Sequence, residues 1–201
     1  NVEQISYKEA VNLAFQKIEQ NLVLSSWKDA VVTSGSEVSN TGDFVKVPIH
    51  GCFKDKKVRE FERPSQEVLE NVWRIGGDQG WYYGTVLWRI RGYLDKLFGG
   101  IGLRRGRRSP TEIYPGDALD FWRVIVASRE KSRLLLFAEM KLPGEAWLEF
   151  QIFHQKGKQY IRQTATFRPK GLLGRLYWYA VWPFHIFVFN GMINRLVSHN
   201  T

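Results

Sequence analysis

Four arginines, Arg104, Arg105, Arg107 and Arg108, stand around one glycine in GGIGLRRGRRSPTEIYPGDALDFWRV, residues 99–124. A guanidinium keeps its charge at any physiological pH, and its planar fork matches phosphate or carboxylate. Such a bend is suited to holding an anionic ligand. It is also suited to pinning a chain crossing through ion pairs with Asp95, Asp117, Asp120 or Glu139. Neighbouring residues on an extended stretch point to opposite faces, so one cluster can do both. The expectation is a split site in which at least one arginine stays unpaired by chain carboxylates.

Acid–base chemistry has three candidates, Asp120, Glu139 and His185. Glu139 lies in LLLFAEMKL and His185 in WPFHIFVF, and apolar surroundings shift the pKa of either group. Each also has a plainer reading. A glutamate near arginines serves as a salt-bridge partner, and a lone histidine on an apolar helix serves as a core residue. No G-x-S-x-G nucleophile motif occurs. His50, His154, His185 and His199 are far apart and no H-E-x-x-H exists, so no metal site is expected. GGIGLRRG is not a dinucleotide fingerprint. Arg105 stands where the third glycine belongs, and the motif follows a helical pattern rather than a strand.

Charge is unevenly spread. The net charge is +9, and residues 150–201 carry seven basic groups and no Asp or Glu. That asymmetry fits an anionic partner or a solubilising surface. Nucleic acid is not expected, because no helix-turn-helix, zinc-finger, RNP or KH signature appears. The single cysteine, Cys52, excludes an internal disulfide and points to a reducing, cytoplasmic setting. NVEQISYKEA shows no signal-peptide pattern, and the chain reads as a piece of something longer. With 14% aromatic residues, eight of them Trp, the chain has material for a large core or a roomy apolar cavity.

The elements that must position these groups follow from periodicity. Ser6 and Glu9 form a capping box, and Val11, Phe15, Ile18 and Leu22 then recur at helical spacing, predicting a helix over 6–24. Residues 25–43 read as a linker, with a boundary near residue 40. FVKVPIH and KVREFER read as two strands around a KDKK turn. Ser65 is the expected N-cap of a helix that uses Val68, Leu69, Val72 and Trp73. A second helix uses Leu87, Ile90, Arg91, Leu94 and Leu97 as one face and ends at Gly99-Gly100. ALDFWRVIVA, RLLLFAEMK, AWLEFQIF and YIRQTATF read as an antiparallel meander. A long apolar helix closes the chain. An α+β fold results: a curved antiparallel sheet wrapped on the C-terminal helix, with two short helices closing one end.

VWRIGGDQGWYYGTVLWRIRGYLDKLFGGIGLRRGRR, GDALDFWRV, AEMKLPGEAWLEF and FRPKGLLGRLYWYAVWPFH resemble a conserved domain of unknown function. It is found C-terminal to NAD(P)-binding, epimerase-like members of the short-chain dehydrogenase family. ISYKEAVNLAFQKIEQ is similar to the last helix of the preceding dehydrogenase-like part. The resemblance implies a helix-grip fold of the START and polyketide-cyclase type, and no known activity. It divides the chain into residues 1–40, the tail of a dehydrogenase-like domain, and residues 41–201, the helix-grip domain. Any NAD(P) would belong to the parent protein, with no cofactor in this chain.

These readings converge on a non-catalytic accessory module that holds a small apolar or amphipathic molecule in an interior cavity. Trp122, Trp147, Tyr177 and Trp178 are the expected lining, with Glu139 and His185 as polar contacts and the arginine bend at a mouth or interdomain face. A cyclase, isomerase or hydrolase acting in that cavity is the rival reading, with Glu139 or Asp120 as base. Membrane-surface association is the third. Leu176–Phe189 is uncharged but only 14 residues long, short of the roughly 18–20 that span a bilayer. An exposed aromatic face on residues 176–189 would favour that third reading.

Overall fold

The computed structural model describes residues 6–8, 47–97, 99–100 and 107–199. The helix expected over 6–24, the linker and the boundary near residue 40 lie almost wholly outside the described residues, as do Arg104 and Arg105. The element order is β1 (Phe53–Phe61), α1 (Ser65–Trp73), a short 3-10 turn (Gly77–Gln79), α2 (Thr85–Leu97), β2 (Ala118–Leu119), β3 (Trp122–Ser128), β4 (Arg133–Ala138), β5 (Gly144–Gln155), β6 (Lys158–Pro169) and α3 (Gly171–Ser198). The strands form one curved sheet in the order β1-β6-β5-β4-β3-β2, antiparallel throughout. Strands β2 to β6 are a meander, and β1 returns to pair with β6. Helix α3 packs across β6 and β1.

KDKK is not a turn. It lies inside β1, with Lys54 opposite Thr166 and Lys57 opposite Gln163. Strand β1 is an edge of the sheet, and outward lysines on an edge discourage pairing with another chain. The strand buries alternate residues. Phe53, Asp55, Lys57, Arg59 and Phe61 share the helix-facing side, while Lys54, Lys56, Val58 and Glu60 are exposed.

Helix α1 starts one residue earlier than a Ser65 cap requires. Pro64 is the N-cap, and the Ser65 hydroxyl donates to Gln159 on β6. From the far end of α1, the buried Asn71 amide donates to the Leu196 and His199 carbonyls at 2.9 and 3.0 Å. Arg63 donates to His199 O at 2.6 Å. The last carbonyls of α3, which have no partner within the helix, are thereby satisfied.

Helix α2 has the expected extent, and Leu87 packs on the core as expected, together with Trp88, but the rest of the expected apolar face turns outward. Its buried positions are Gly92 and Asp95. Ile90, Leu94 and Leu97, expected to face the core, are exposed together with Val86 and Tyr93. Gly84 meets Val188, Trp88 lies 6.3 Å from Phe189, and Arg91 bonds Tyr177, so α2 touches α3 through side chains.

Interlocked aromatic rings occupy much of the interior between α3 and the sheet. Trp178 stacks between Phe53 (5.4 Å) and Phe167 (5.8 Å), and His185 bridges Trp178 to Phe189. From Phe189 the contacts continue through Trp88 and Trp81 to Phe121 and Trp122. Buried aliphatics of β3 to β6 complete this core. A smaller cluster of Val126, Leu135 and Trp147 covers the other side of the sheet. A register shift between Val124 and Val126 puts these two on opposite sides.

Gly174 seats α3 on the β5–β6 end of the sheet. A Cβ there would collide with the Pro143 carbonyl and lie 2.9 Å from Pro169 Cα, which is backbone and cannot step aside. Gly174→Ala is expected to cost about 1–3 kcal/mol in urea denaturation, whereas Leu173→Ala, at an exposed position, leaves stability within about 0.5 kcal/mol.

Candidate functional site

The helix-facing row of β1 and β6 is apolar at its Phe53 end and carries charge further along. Phe53 opposes Phe167; then Asp55 opposes Ala165, Lys57 opposes Gln163 and Arg59 opposes Ile161. Asp55 and Gln163 are 4% and 1% exposed. The ammonium of Lys57 lies 2.5 Å from Asp55 Oδ1. Above them α3 brings His185, whose ring sits 5.0 Å from Trp178 and 4.7 Å from Phe189.

Burial dominates His185. It pushes the imidazole pKa down from 6.5 to about 4; the Lys57 charge works in the same direction, and Asp55 opposes both. The ring is therefore neutral at pH 7 and offers one donor and one acceptor. Four buried polar atoms here have no hydrogen-bond partner: Asp55 Oδ2, Gln163 Nε2, Gln163 Oε1 and His185 Nδ1. An unpaired buried polar group costs about 1–3 kcal/mol, and such groups concentrate where a protein has chemistry or a ligand to serve. Together the cluster offers a carboxylate, an ammonium, an amide and a neutral imidazole, walled by Trp178 and Phe189.

Of the residues expected from sequence, His185, Tyr177 and Trp178 lie between α3 and the sheet, and Trp122 belongs to the same core. Trp122 is 6.0 Å from Trp81 at the far end of the aromatic chain. Tyr177 packs on Phe167, and burial pushes its phenol pKa up. Trp147 does not line the interior. It alternates with Leu148 and Phe150 and so faces the opposite side, against Phe137.

Glu139 is not an interior contact either. It follows Ala138 on β4 and points away from the core, where Arg123 grips it with two bonds of 3.0 and 3.1 Å. Asp120 occupies the tight β2–β3 turn at φ 54 and accepts the Trp81 indole N–H at 2.7 Å. Burial pushes its carboxyl pKa up, and the Trp81 bond opposes this.

The described half of the arginine bend is engaged within the chain. Arg108 spans both oxygens of Asp117 and lies 5.1 Å from the Tyr114 ring. Arg107 donates to three carbonyls, those of Ile75 (3.0 Å), Ser109 and Glu112 (3.4 Å). Its stem covers Gly77, and burial lowers its pKa. The two arginines use different partners, one a carboxylate and one the backbone.

Sequence reasoning missed Asp55, Lys57 and Gln163. The signal for Gln163 was present: it shares parity with Ile161, Ala165 and Phe167, an apolar row with one amide in it. Asp55 and Lys57 were hidden in a lysine run that imitates a turn. Among the described residues, no three His, Cys, Asp or Glu side chains gather as metal ligands would.

An open groove of about 530 Å³ runs along the outward side of α3 near its C-terminal end, lined by Tyr83, Phe187, Asn190, Asn194 and Arg195 among others. Arg59 reaches it from β1, donating to the side-chain oxygens of Asn194 at 2.8 Å and Asn190 at 3.0 Å.

Solved structures with similarity to this chain include Ara h 8.0201, at 11% identity and a TM-score of 0.42, over 74% of this chain and all of that one. Norcoclaurine synthase from Thalictrum flavum is similar at 10% identity and a TM-score of 0.44, over 82% of this chain and 97% of that one. DynU16, a putative protein of the dynemicin biosynthetic locus, gives 13% identity and a TM-score of 0.39, over 72% of this chain and 47% of that one. No curated protein matches the chain. A family model described as protein of unknown function (DUF2867) matches residues 51–192, from just before β1 to the last turns of α3, and the chain belongs to that family.

Proposed function

We propose that this chain is a non-catalytic binding module that holds one small amphipathic molecule beneath α3. The observation that carries the reading is the set of four unpaired polar atoms on Asp55, Gln163 and His185 within an otherwise apolar interior. A ligand with an apolar body and one hydroxyl or carbonyl head complements that arrangement. The rings of Trp178 and Phe189 take the body, and the head exchanges hydrogen bonds with Gln163 and His185. Because rings fill the space in this structure, entry requires side chains of α3 to swing aside. We extend the proposal to an accessory role beside an NAD(P)-binding, epimerase-like domain, on the strength of the sequence resemblance described above.

Thermal-shift and ligand-observed NMR measurements on the full chain, with phenols, indoles and short fatty acids as probes, test the reading. At least one probe class is expected to raise Tm. Gln163→Leu and His185→Phe should each raise its Kd by about tenfold, the effect of losing one hydrogen bond to the head. No shift with any class, or a Kd indifferent to both substitutions, would sink it.

A second reading, catalysis at the same cluster, draws on the neutral imidazole of His185 close to the Asp55 carboxylate. A neutral imidazole accepts a proton, and the carboxylate stabilises the imidazolium that forms. Turnover of a bound probe that disappears in His185→Phe would favour that reading over simple binding.

A further inference from the structure

We propose that the outward face of α2 and α3 docks on an anionic lipid surface. Helix α2 presents Val86, Ile90, Tyr93, Leu94 and Leu97 to solvent. These recur at i, i+4, i+7, i+8 and i+11, one continuous stripe, and Val86 and Tyr93 are each 66% exposed. An ordinary surface helix turns that stripe inward. Here the inward positions are instead Leu87, Trp88, Gly92 and Asp95, and the longer apolar stripe is left outside.

Helix α3 carries a matching stripe. Leu172, Leu176, Tyr179 and Phe187 are exposed at helical spacing, from 74% for Leu172 to 57% for Phe187. The two helices touch through a 6.3 Å Trp88–Phe189 ring pair, and the residues leading into α2 meet α3 through Gly84 on Val188 and a 5.1 Å Tyr83–Phe187 ring pair. One helix is 13 residues long and the other 28. Exposed apolar surface of this extent marks an interaction site rather than ordinary scatter.

Charge selects the partner. Over residues 84–97 the basic groups are Arg89, Arg91 and Lys96, and the one acid is Asp95. Asp95 is 1% exposed and its carboxylate accepts the Lys141 backbone N–H at 2.7 Å, so it presents no charge outward. Over residues 170–199 the basic groups are Lys170, Arg175 and Arg195, with no acid. Apolar and tyrosine side chains between basic residues are the composition of helices that lie in the plane of a membrane interface. Among the described residues no helix is long and apolar enough to cross a membrane. The face therefore lies on the surface, with its tyrosines at headgroup depth and its cations against lipid phosphates.

This docking does not depend on the ligand site, since the cluster of Asp55, Gln163 and His185 lies on the sheet side of α3. Co-sedimentation of the full chain with vesicles of mixed phosphatidylglycerol and phosphatidylcholine tests it, against pure phosphatidylcholine and at low and high salt. Binding is expected to the mixed vesicles and to weaken at least about tenfold on pure phosphatidylcholine or in high salt. Leu176→Asp and Tyr93→Asp, at exposed positions, should each weaken it about tenfold or more with Tm unchanged. Arg89→Glu combined with Lys96→Glu should do the same. Equal binding to neutral and anionic vesicles overturns the proposal. So does failure to bind either, including the case in which the chain instead forms a dimer that Leu176→Asp dissolves, which would assign the face to a second copy.

Discussion

His185→Phe is expected to remove about 3 kcal/mol of acid sensitivity from the stability of this protein. The folded state holds the imidazole neutral, with its pKa pushed down to about 4 by burial and by Lys57, whereas an unfolded chain titrates near 6.5. Above pH 6.5 the ring is neutral in both states and has no influence on the pH dependence. As pH falls from 6.5 towards 4, the unfolded state binds a proton that the folded state refuses, so stability drops across that window. Below pH 4 both states are protonated and the loss is complete. Phenylalanine keeps a ring against Trp178 and Phe189 and has nothing to titrate. Urea denaturation of both proteins between pH 4 and pH 8 reads the difference, in which other titrating groups largely cancel. Parallel curves for the two proteins would show that His185 is not buried neutral, and the site described above would lose its imidazole.

Trp81→Ala is expected to cost about 3–5 kcal/mol, the largest effect of any single substitution considered. Trp81 is 2% exposed and lies within about 6 Å of Trp88, Phe121 and Trp122, so its loss opens a hole at one end of the aromatic chain. It also strips Asp120 of the indole N–H that stabilises its half-buried carboxylate. Trp81→Phe separates the two contributions. It retains much of the ring volume and loses the hydrogen bond, and its cost should be nearer 1–3 kcal/mol. With the bond gone, burial acts on Asp120 unopposed by Trp81, so its carboxyl should titrate at higher pH, which carbon-detected NMR follows directly. If Trp81→Phe is as damaging as Trp81→Ala, the hydrogen bond rather than the packing dominates. If neither matters, Asp120 is not held by Trp81 and regains standing as an acid–base group.

The alternation in AWLEFQIF and the long, largely apolar run from Leu172 by themselves determine a meander and a long C-terminal helix, because side-chain direction follows directly from backbone period. His185 was equally legible, as one imidazole on an apolar helix. Periodicity shows that a stripe exists; it does not say what the stripe faces. Ile90, Leu94 and Leu97 make the same pattern whether α2 turns them to the sheet or to solvent, and only tertiary packing turned them outward. Parity likewise placed Trp147 and Leu148 on opposite sides of β5 without saying which side α3 would cover. Glu139 was assigned inward on the same ambiguity, and Arg123 holds it outside. The cluster of Asp55, Lys57, Gln163 and His185 needed the register of β1 on β6, a pairing between residues about a hundred apart in sequence. Local preference carries no information at that range. Burial and charge pairing arise only when distant strands meet, and they decide which of many polar residues becomes a site.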